Sequence, residues 1–197
     1  MKKTSGLDSY LSTHGFKLSP VHSGKNEGYS SLSQRAAFAS ELKKHTHIKR
    51  ILEIGFNAGH TSELFLKSCP EAEIVSFDLN YHPYTSVGVD YISSKYQDRF
   101  TFIEGNSRDT IPAFKEKEKF DLIFIDGGHY YEICLQDIQN CARLAHQNTL
   151  LWIDDFNCQD VLQAVTDCEM QGLIKIVEAK TVSDRSGSRC WLEARYL

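Results

Sequence analysis

One repeated unit constrains the fold of this chain more than any other feature. It is a short apolar segment, then a turn carrying glycine or an acid, then a stretch of helical periodicity. Ile48–Ile54, Glu73–Asp78, Phe100–Glu104, Phe120–Asp126 and Leu150–Asp154 read as strands. The spacing predicts a helix over Ser31–His45, with Leu32, Ala36, Ala39 and Leu42 on one face. Further helices are expected over Thr61–Cys69, stopped by Pro70, over Thr85–Tyr96, and over Ser107–Lys115, which tolerates Pro112 near its start. Tyr131–His146, with Ile133, Ile138, Cys141 and Leu144 spaced for burial, and Gln159–Gln171 complete the set. Strands alternating with helices specify a parallel sheet covered on both faces. Ile174–Lys180 and Arg189–Tyr196 have no helix between them and read as an antiparallel hairpin at one edge.

Composition narrows the class. The chain has 197 residues, 41% of them hydrophobic, with a net charge of −4 and a pI of about 6.1. That suits one core and falls short of the roughly 250 residues of a (β/α)8 barrel. A basic footprint is absent, so a nucleic-acid partner is not expected. The longest apolar runs, Leu122–Ile125 and Leu150–Ile153, are far below the roughly 20 residues that span a bilayer. MKKTSGLDSYLSTHG has no apolar core of a secretory signal, and the six cysteines show no CxxC spacing. The expectation is a cytoplasmic protein with reduced thiols and no membrane partner. Residues 1–30, rich in Ser, Gly and His, read as an N-terminal segment with a short helix near Leu7–Thr13 and a possible lid role. Residues 31–197 read as one domain, without repeats or linkers; a homo-oligomer is left open.

The chemistry begins at Ile51-Leu52-Glu53-Ile54-Gly55-Phe56-Asn57-Ala58-Gly59-His60. A strand runs into a turn with glycines, which let backbone approach a ligand, and then into a helix N-terminus with free N–H groups. A dinucleotide fingerprint would read G-x-G-x-x-G, whereas this turn has only Gly55 and Gly59 with Asn57 between. Taken alone, the turn is equally a tight connection. Asp78 ends the next strand; it suits the two hydroxyls of a ribose, or it caps the following loop.

Together, Glu53, Gly55, Asn57, Gly59 and Asp78 resemble motif I and the ribose-binding acid of class I S-adenosylmethionine-dependent methyltransferases. That resemblance implies a Rossmann-like, doubly wound α/β fold with a seven-stranded, mostly parallel sheet and the C-terminal antiparallel hairpin. It also implies S-adenosylmethionine as cofactor, with the Gly55–Gly59 turn against its methionine part. Ile103-Glu104-Gly105-Asn106-Ser107 resembles the third-strand motif, which places Asn106 or Ser107 beside the adenine; Asn106 stands where the family usually has Asp.

Two later strands end in acids: Phe120 to Asp126-Gly127-Gly128-His129, and Leu150 to Asp154-Asp155-Phe156. On neighbouring strands these carboxylates lie roughly 5 Å apart at the edge where open α/β sheets bind ligands. Bare like charges at that separation raise one another's pKa, and a hard divalent cation such as Mg²⁺ resolves the repulsion. Asp154 and Asp155 are consecutive and would face opposite ways in an ideal strand, so both ligate only if the chain turns there. The alternative is that these acids cap a helix and position a loop.

The D-G-G-H-Y-Y-E segment with the D-D pair resembles small metal-dependent O-methyltransferases related to the catechol, caffeoyl-CoA and antibiotic-sugar enzymes. The resemblance implies Asp126, Asp154 and Asp155 as metal ligands, Asp126 also at the cofactor, and His129 as general base. His129 equally suits a bond that fixes the Gly127–Gly128 turn. Asp137 reads as reaching a structural partner. The acceptor is expected to be a small molecule bearing a hydroxyl. A catalytically silent S-adenosylmethionine-binding regulator, or a protein or RNA methyltransferase, is the alternative. Thr181–Arg189, Tyr81–Tyr84 and Asn26–Ser30 are candidate acceptor loops and lid pieces. His45 and His47 read as part of a solvated basic face, and Lys115–Lys119 as an exposed run.

Overall fold

A computed structural model describes residues 6–18, 30–184 and 187–197. The expected lid piece Asn26–Ser30, apart from Ser30, lies outside the described residues, as do residues 1–5 and 19–25 before it. In chain order the elements are α1 (Gly6–Thr13), α2 (Leu32–Leu42), β1 (Arg50–Ile54), α3 (His60–Ser68), β2 (Glu73–Asp78), α4 (Pro83–Tyr96) and β3 (Phe100–Glu104). They continue as α5 (Ser107–Ala113), β4 (Phe120–Ile125), α6 (Tyr131–Cys141), β5 (Ala145–Asp154), α7 (Gln159–Met170), β6 (Ile174–Asp184) and β7 (Gly187–Tyr196). The strands form one seven-stranded sheet in the order β3-β2-β1-β4-β5-β7-β6. The first five are parallel, and β7 runs antiparallel to both β5 and β6. This is the Rossmann-like arrangement that the alternation of strands and helices implies.

Helices cover both faces because the central strands are apolar on both sides. Leu52, Ile54, Ile123, Ile125, Leu151 and Ile153 face α6 and α7 in one core. Ile51, Leu122, Phe124, Leu150 and Trp152 face α2 and α3 in the other. The strand order reverses between β1 and β4, so the connections after these two strands leave in opposite directions and open a crevice at their C-terminal ends. Among the described residues no helix is long and apolar enough to cross a membrane.

Several boundaries differ from the sequence reading, each for a local reason. α6 stops at Cys141, a single 3₁₀ turn follows over Ala142–Leu144, and β5 already begins at Ala145. The β4–β5 register shifts between Phe120 and Leu122. Thr149 sustains that irregularity: its hydroxyl donates to the Phe120 carbonyl at 2.6 Å and accepts from the His146 N–H at 2.8 Å. Pro112 sits in the last turn of α5, where a short helix ends. Pro83 opens α4, a position whose N–H has no intrahelical partner. β6 and β7 extend to Asp184 and Gly187, so most of the expected Thr181–Arg189 loop is strand; Arg185 and Ser186 lie outside the described residues.

The buried face of α2 is also corrected. It carries Gln34, Phe38 and Leu42, while Leu32 is exposed. Phe38 decides the rotation: its ring lies 4.8 Å from that of Trp191, 5.3 Å from Trp152, 5.5 Å from Phe124 and 6.1 Å from Phe65. One large aromatic buries more area than the two alanines on the competing face. Phe38→Ala should lower stability by about 3–5 kcal/mol, measured by denaturant unfolding; a loss below about 1 kcal/mol would contradict this docking of α2.

Candidate active site

The turn after β1 is built by a close backbone approach. Gly55 has φ +98°, and a Cβ there would lie 1.9 Å from the Asp126 carbonyl oxygen. Its N–H donates to Phe77 O at 2.8 Å, while the Asp126 N–H donates to Ile54 O at 2.8 Å. Only glycine fits between the β1 and β4 ends. Asn57 follows at φ 53°, and Gly59, at φ +85°, caps α3. A Cβ on Gly59 would meet the Phe56 ring at 2.5 Å. The first N–H groups of α3 therefore face the crevice end of the sheet. α1 lies over this corner: Leu7 and Leu11 pack with Ala58 and Tyr84, and Asp8 Oδ1 lies 2.8 Å from His60 Nε2.

Glu53 lies beneath the turn and is fully buried. Its Oε2 accepts from the Ser62 hydroxyl and, at 2.5 Å, from the Ser76 hydroxyl, while Oε1 has no partner. Burial pushes its carboxyl up to about 7; the two serines pull it down, and the Asp126 and Asp78 charges add to the rise. Asp78 accepts the Asn57 N–H on Oδ2 and the Asn80 N–H on Oδ1, both at 2.8 Å. It thus holds two turns at once, and each oxygen keeps a further lone pair. Asn106 caps α5, its Oδ1 accepting from the Arg108 N–H at 3.1 Å. Ser107 begins that helix beside Asp137 of α6. Asp137 is fully buried, with no geometrically satisfactory partner for either carboxylate oxygen. Burial pushes it up to about 6, opposed by the Ser107 hydroxyl and the Arg108 charge.

Across the crevice, β4 and β5 deliver the acids. Asp155 takes φ 50°, and its N–H donates to Cys190 O at 2.9 Å. That left-handed residue supplies the turn which lets two consecutive aspartates approach one edge. One ligand atom each from Asp126, His129 and Asp155 all lie within 4.8 Å of one another. His129 Nε2 is 3.7 Å from Asp126 Oδ1 and 3.4 Å from Asp155 Oδ2. Asp154 lies deeper. Its Oδ2 accepts from Gln34 Nε2 at 2.7 Å, and its Oδ1 is buried without a partner. Burial pushes Asp154 well above the carboxylate range, with the Asp126 and Asp155 charges adding to it. Burial likewise raises Asp126 to about 6, against the pull of His129. The Asp126 carboxylate is the main cause that raises His129 to about 9.

These observations meet the comparison with known sequences. Residues 52–156, more than half of the chain, match the family described as Methyltransferase domain. The chain belongs to this methyltransferase family. A search of curated protein sequences finds no match. Among solved structures, the methyltransferase resembles a Klebsiella pneumoniae protein proposed to be an O-methyltransferase, with TM-score 0.78 and 20% identity over 100% of this chain and 91% of the other. It also resembles the O-methyltransferase from Bacillus cereus in complex with SAH, with TM-score 0.78 and 16% identity over 100% and 93% of the two chains. The O-methyltransferase TomG from Streptomyces achromogenes, in complex with SAM, aligns with TM-score 0.72 and 14% identity over 99% and 91%. At these identities the likeness establishes the fold.

Sequence reasoning missed one residue of this methyltransferase. Gln34 reaches Asp154 from a helix 120 positions away, and its polar neighbours Ser33 and Arg35 give no local signal of a buried side chain. Arg189, read both as the end of the Thr181–Arg189 loop and as the start of the last strand, lies within β7 just before its buried part.

The buried Glu53 gives a pH test. Its folded-state value, about 7, lies above the ordinary 4.5, so the folded chain binds this proton more tightly than the unfolded chain. Stability from this group is full below the ordinary value and is lost as pH rises through about 7. Glu53→Gln should therefore gain unfolding free energy relative to wild type as pH rises from about 5 to 8, on the order of 3 kcal/mol at the upper end, measured by denaturant unfolding at each pH. A difference that does not vary with pH would contradict the assignment.

Proposed function

We propose that this chain transfers the methyl group of S-adenosylmethionine to a hydroxyl of a small-molecule acceptor, with a divalent cation orienting that hydroxyl. The observation that carries this reading is the convergence of Asp126, His129 and Asp155 within 4.8 Å, on the sheet edge that also bears the Gly55–Gly59 turn. The structural neighbours support it: two are O-methyltransferases in complex with SAH or SAM, and TomG is involved in tomaymycin synthesis.

The residues present fit both groups. Glu53 Oε1 and Asn57 Oδ1 are buried acceptors without partners at the turn. With the N–H groups of α3 they suit the charged amino-acid end of S-adenosylmethionine, while Asp78, Asn106 and Ser107 would hold its nucleoside end. Bound there, S-adenosylmethionine supplies an activated methyl group. Asp126 and Asp155 offer hard oxygens whose repulsion a cation relieves, with Asp154 Oδ1 behind them. Such a cation, Mg²⁺ or another divalent ion, lowers the pKa of a hydroxyl bound to it.

The chain's own residues then divide the work. Gln34 fixes the Asp154 carboxylate through Oδ2 and leaves Oδ1 directed elsewhere. Asp126 and Asp155 hold the His129 imidazole and keep its proton in place at neutral pH. A cation held by these carboxylates would weaken their hold on the imidazole proton, and His129 Nε2 is the group placed beside them that would take the acceptor's proton. The Gly55 turn fixes the distance between the methyl-donor side and the acidic side of the crevice. An in-line approach within about 3–3.5 Å depends on that spacing.

Two measurements check the reading. S-adenosylmethionine at about 100 times its Kd should stabilise the protein by about 2.7 kcal/mol, and no thermal shift would contradict the cofactor assignment. Calorimetric titration with Mn²⁺ should find one site that Asp155→Asn weakens by about 10–100-fold; unchanged affinity would contradict the metal assignment.

A further inference from the structure

β7 enters the sheet at the acidic edge. Cys190 O accepts the Asp155 N–H, and Trp191 stands opposite Asp154 in the register. Arg189 precedes this pair and lies opposite Val182 of β6. Val182 packs against the core formed by Phe38, Trp152 and Trp191. Cross-strand partners share a face, so Arg189 points to the α2 side, as does Asp154, which Gln34 of α2 reaches.

Arg189 is half-buried, and its Nε is withdrawn from water with no hydrogen-bond partner. Among the described side chains, which do not include that of Asp184, no carboxylate forms an ion pair with it. The other half-buried arginines are tied down. Arg50 bridges Glu116 and Glu118, Arg99 reaches the carbonyls of Leu66, Cys69 and Ala72, and Arg195 pairs with Glu193. Arg35 bonds Ser30. Withdrawing a charged donor from water without a partner is costly. Such a group beside a reaction site is suited to be completed by a ligand.

We propose that Arg189 is a specificity-determining residue that selects acceptors carrying a carboxylate in addition to the hydroxyl that receives the methyl group. The proposal rests on the O-methyltransferase reading above. A guanidinium presents parallel donors that match a carboxylate. The occupant is a monoanion because Asp126, Asp154 and Asp155 stand along the same edge. A phosphate dianion would meet twice the repulsion from them. Arg189 also draws the Asp126 carboxyl down electrostatically, which places its charge within range of the reacting edge.

The test uses the full-length protein saturated with S-adenosylhomocysteine and Mg²⁺. Calorimetric titration compares 3,4-dihydroxybenzoate with catechol, two diols that differ by one carboxylate. Wild type should bind the carboxylated diol about tenfold more tightly, and Arg189→Met should bring the two affinities within about twofold of each other, with Arg189→Lys in between. Equal affinities in wild type, an undiminished preference in Arg189→Met, or no binding of either diol overturns the proposal. Binding of S-adenosylhomocysteine is measured on the same samples. If it is intact while the diols do not differ, the Arg189 assignment alone fails; if wild type does not bind it, the methyltransferase reading fails.

Discussion

The contact on which everything else depends is backbone against backbone: Gly55 at the end of β1 lies against the Asp126 carbonyl at the end of β4, with no room for a side chain. Two hydrogen bonds of 2.8 Å, Gly55 N–H to Phe77 O and Asp126 N–H to Ile54 O, tie three strand ends into one unit. The turn expected to face the cofactor and the first acid of the opposite cluster are thereby fixed relative to each other by main chain. Side-chain rotamers do not enter. The same reversal of strand order that opens the crevice sets its width.

Charge is the second constraint. Glu53, Asp126, Asp137 and Asp154 are all acids that burial has pushed upward. Only part of that burden is relieved within the chain. Two serines hold Glu53, Gln34 holds one oxygen of Asp154, and His129 sits between Asp126 and Asp155. Glu53 Oε1, Asn57 Oδ1, Asp154 Oδ1 and Arg189 Nε are buried without a partner on residues of the strand ends and of β7, and both Asp137 oxygens, Tyr96 Oη and the Trp152 and Trp191 Nε1 atoms are buried without one as well. Those at the strand ends carry a cost that a ligand in the crevice can offset.

Much of this was legible in the sequence because it follows from periodicity and strand-end chemistry. Apolar runs such as Leu122–Ile125 leave little choice but a buried parallel strand, and Gly55, Gly59 and Asp78 mark where the turns lie. What could not be read depends on contacts between distant positions. The start of β5 is set by Thr149 bonding a carbonyl on β4. The rotation of α2 is set by Phe38 finding two tryptophans on β5 and β7. The division of labour between Asp154 and Asp155 follows from the left-handed turn at Asp155 and from Gln34, neither of which has a local signature. The half-buried setting of Arg189 follows from a hairpin longer than its apolar segments suggested.

The central claim is that a methyl donor and a metal-bound acceptor meet between the Gly55 turn and the Asp126–Asp155 pair. Crystals grown with S-adenosylhomocysteine and Mn²⁺, with data collected at the manganese absorption edge, test it most directly. The account predicts an anomalous peak bridging Asp126 and Asp155, with the ribose of the bound nucleoside against Asp78. A peak at another place, or none while the nucleoside is bound, would contradict it.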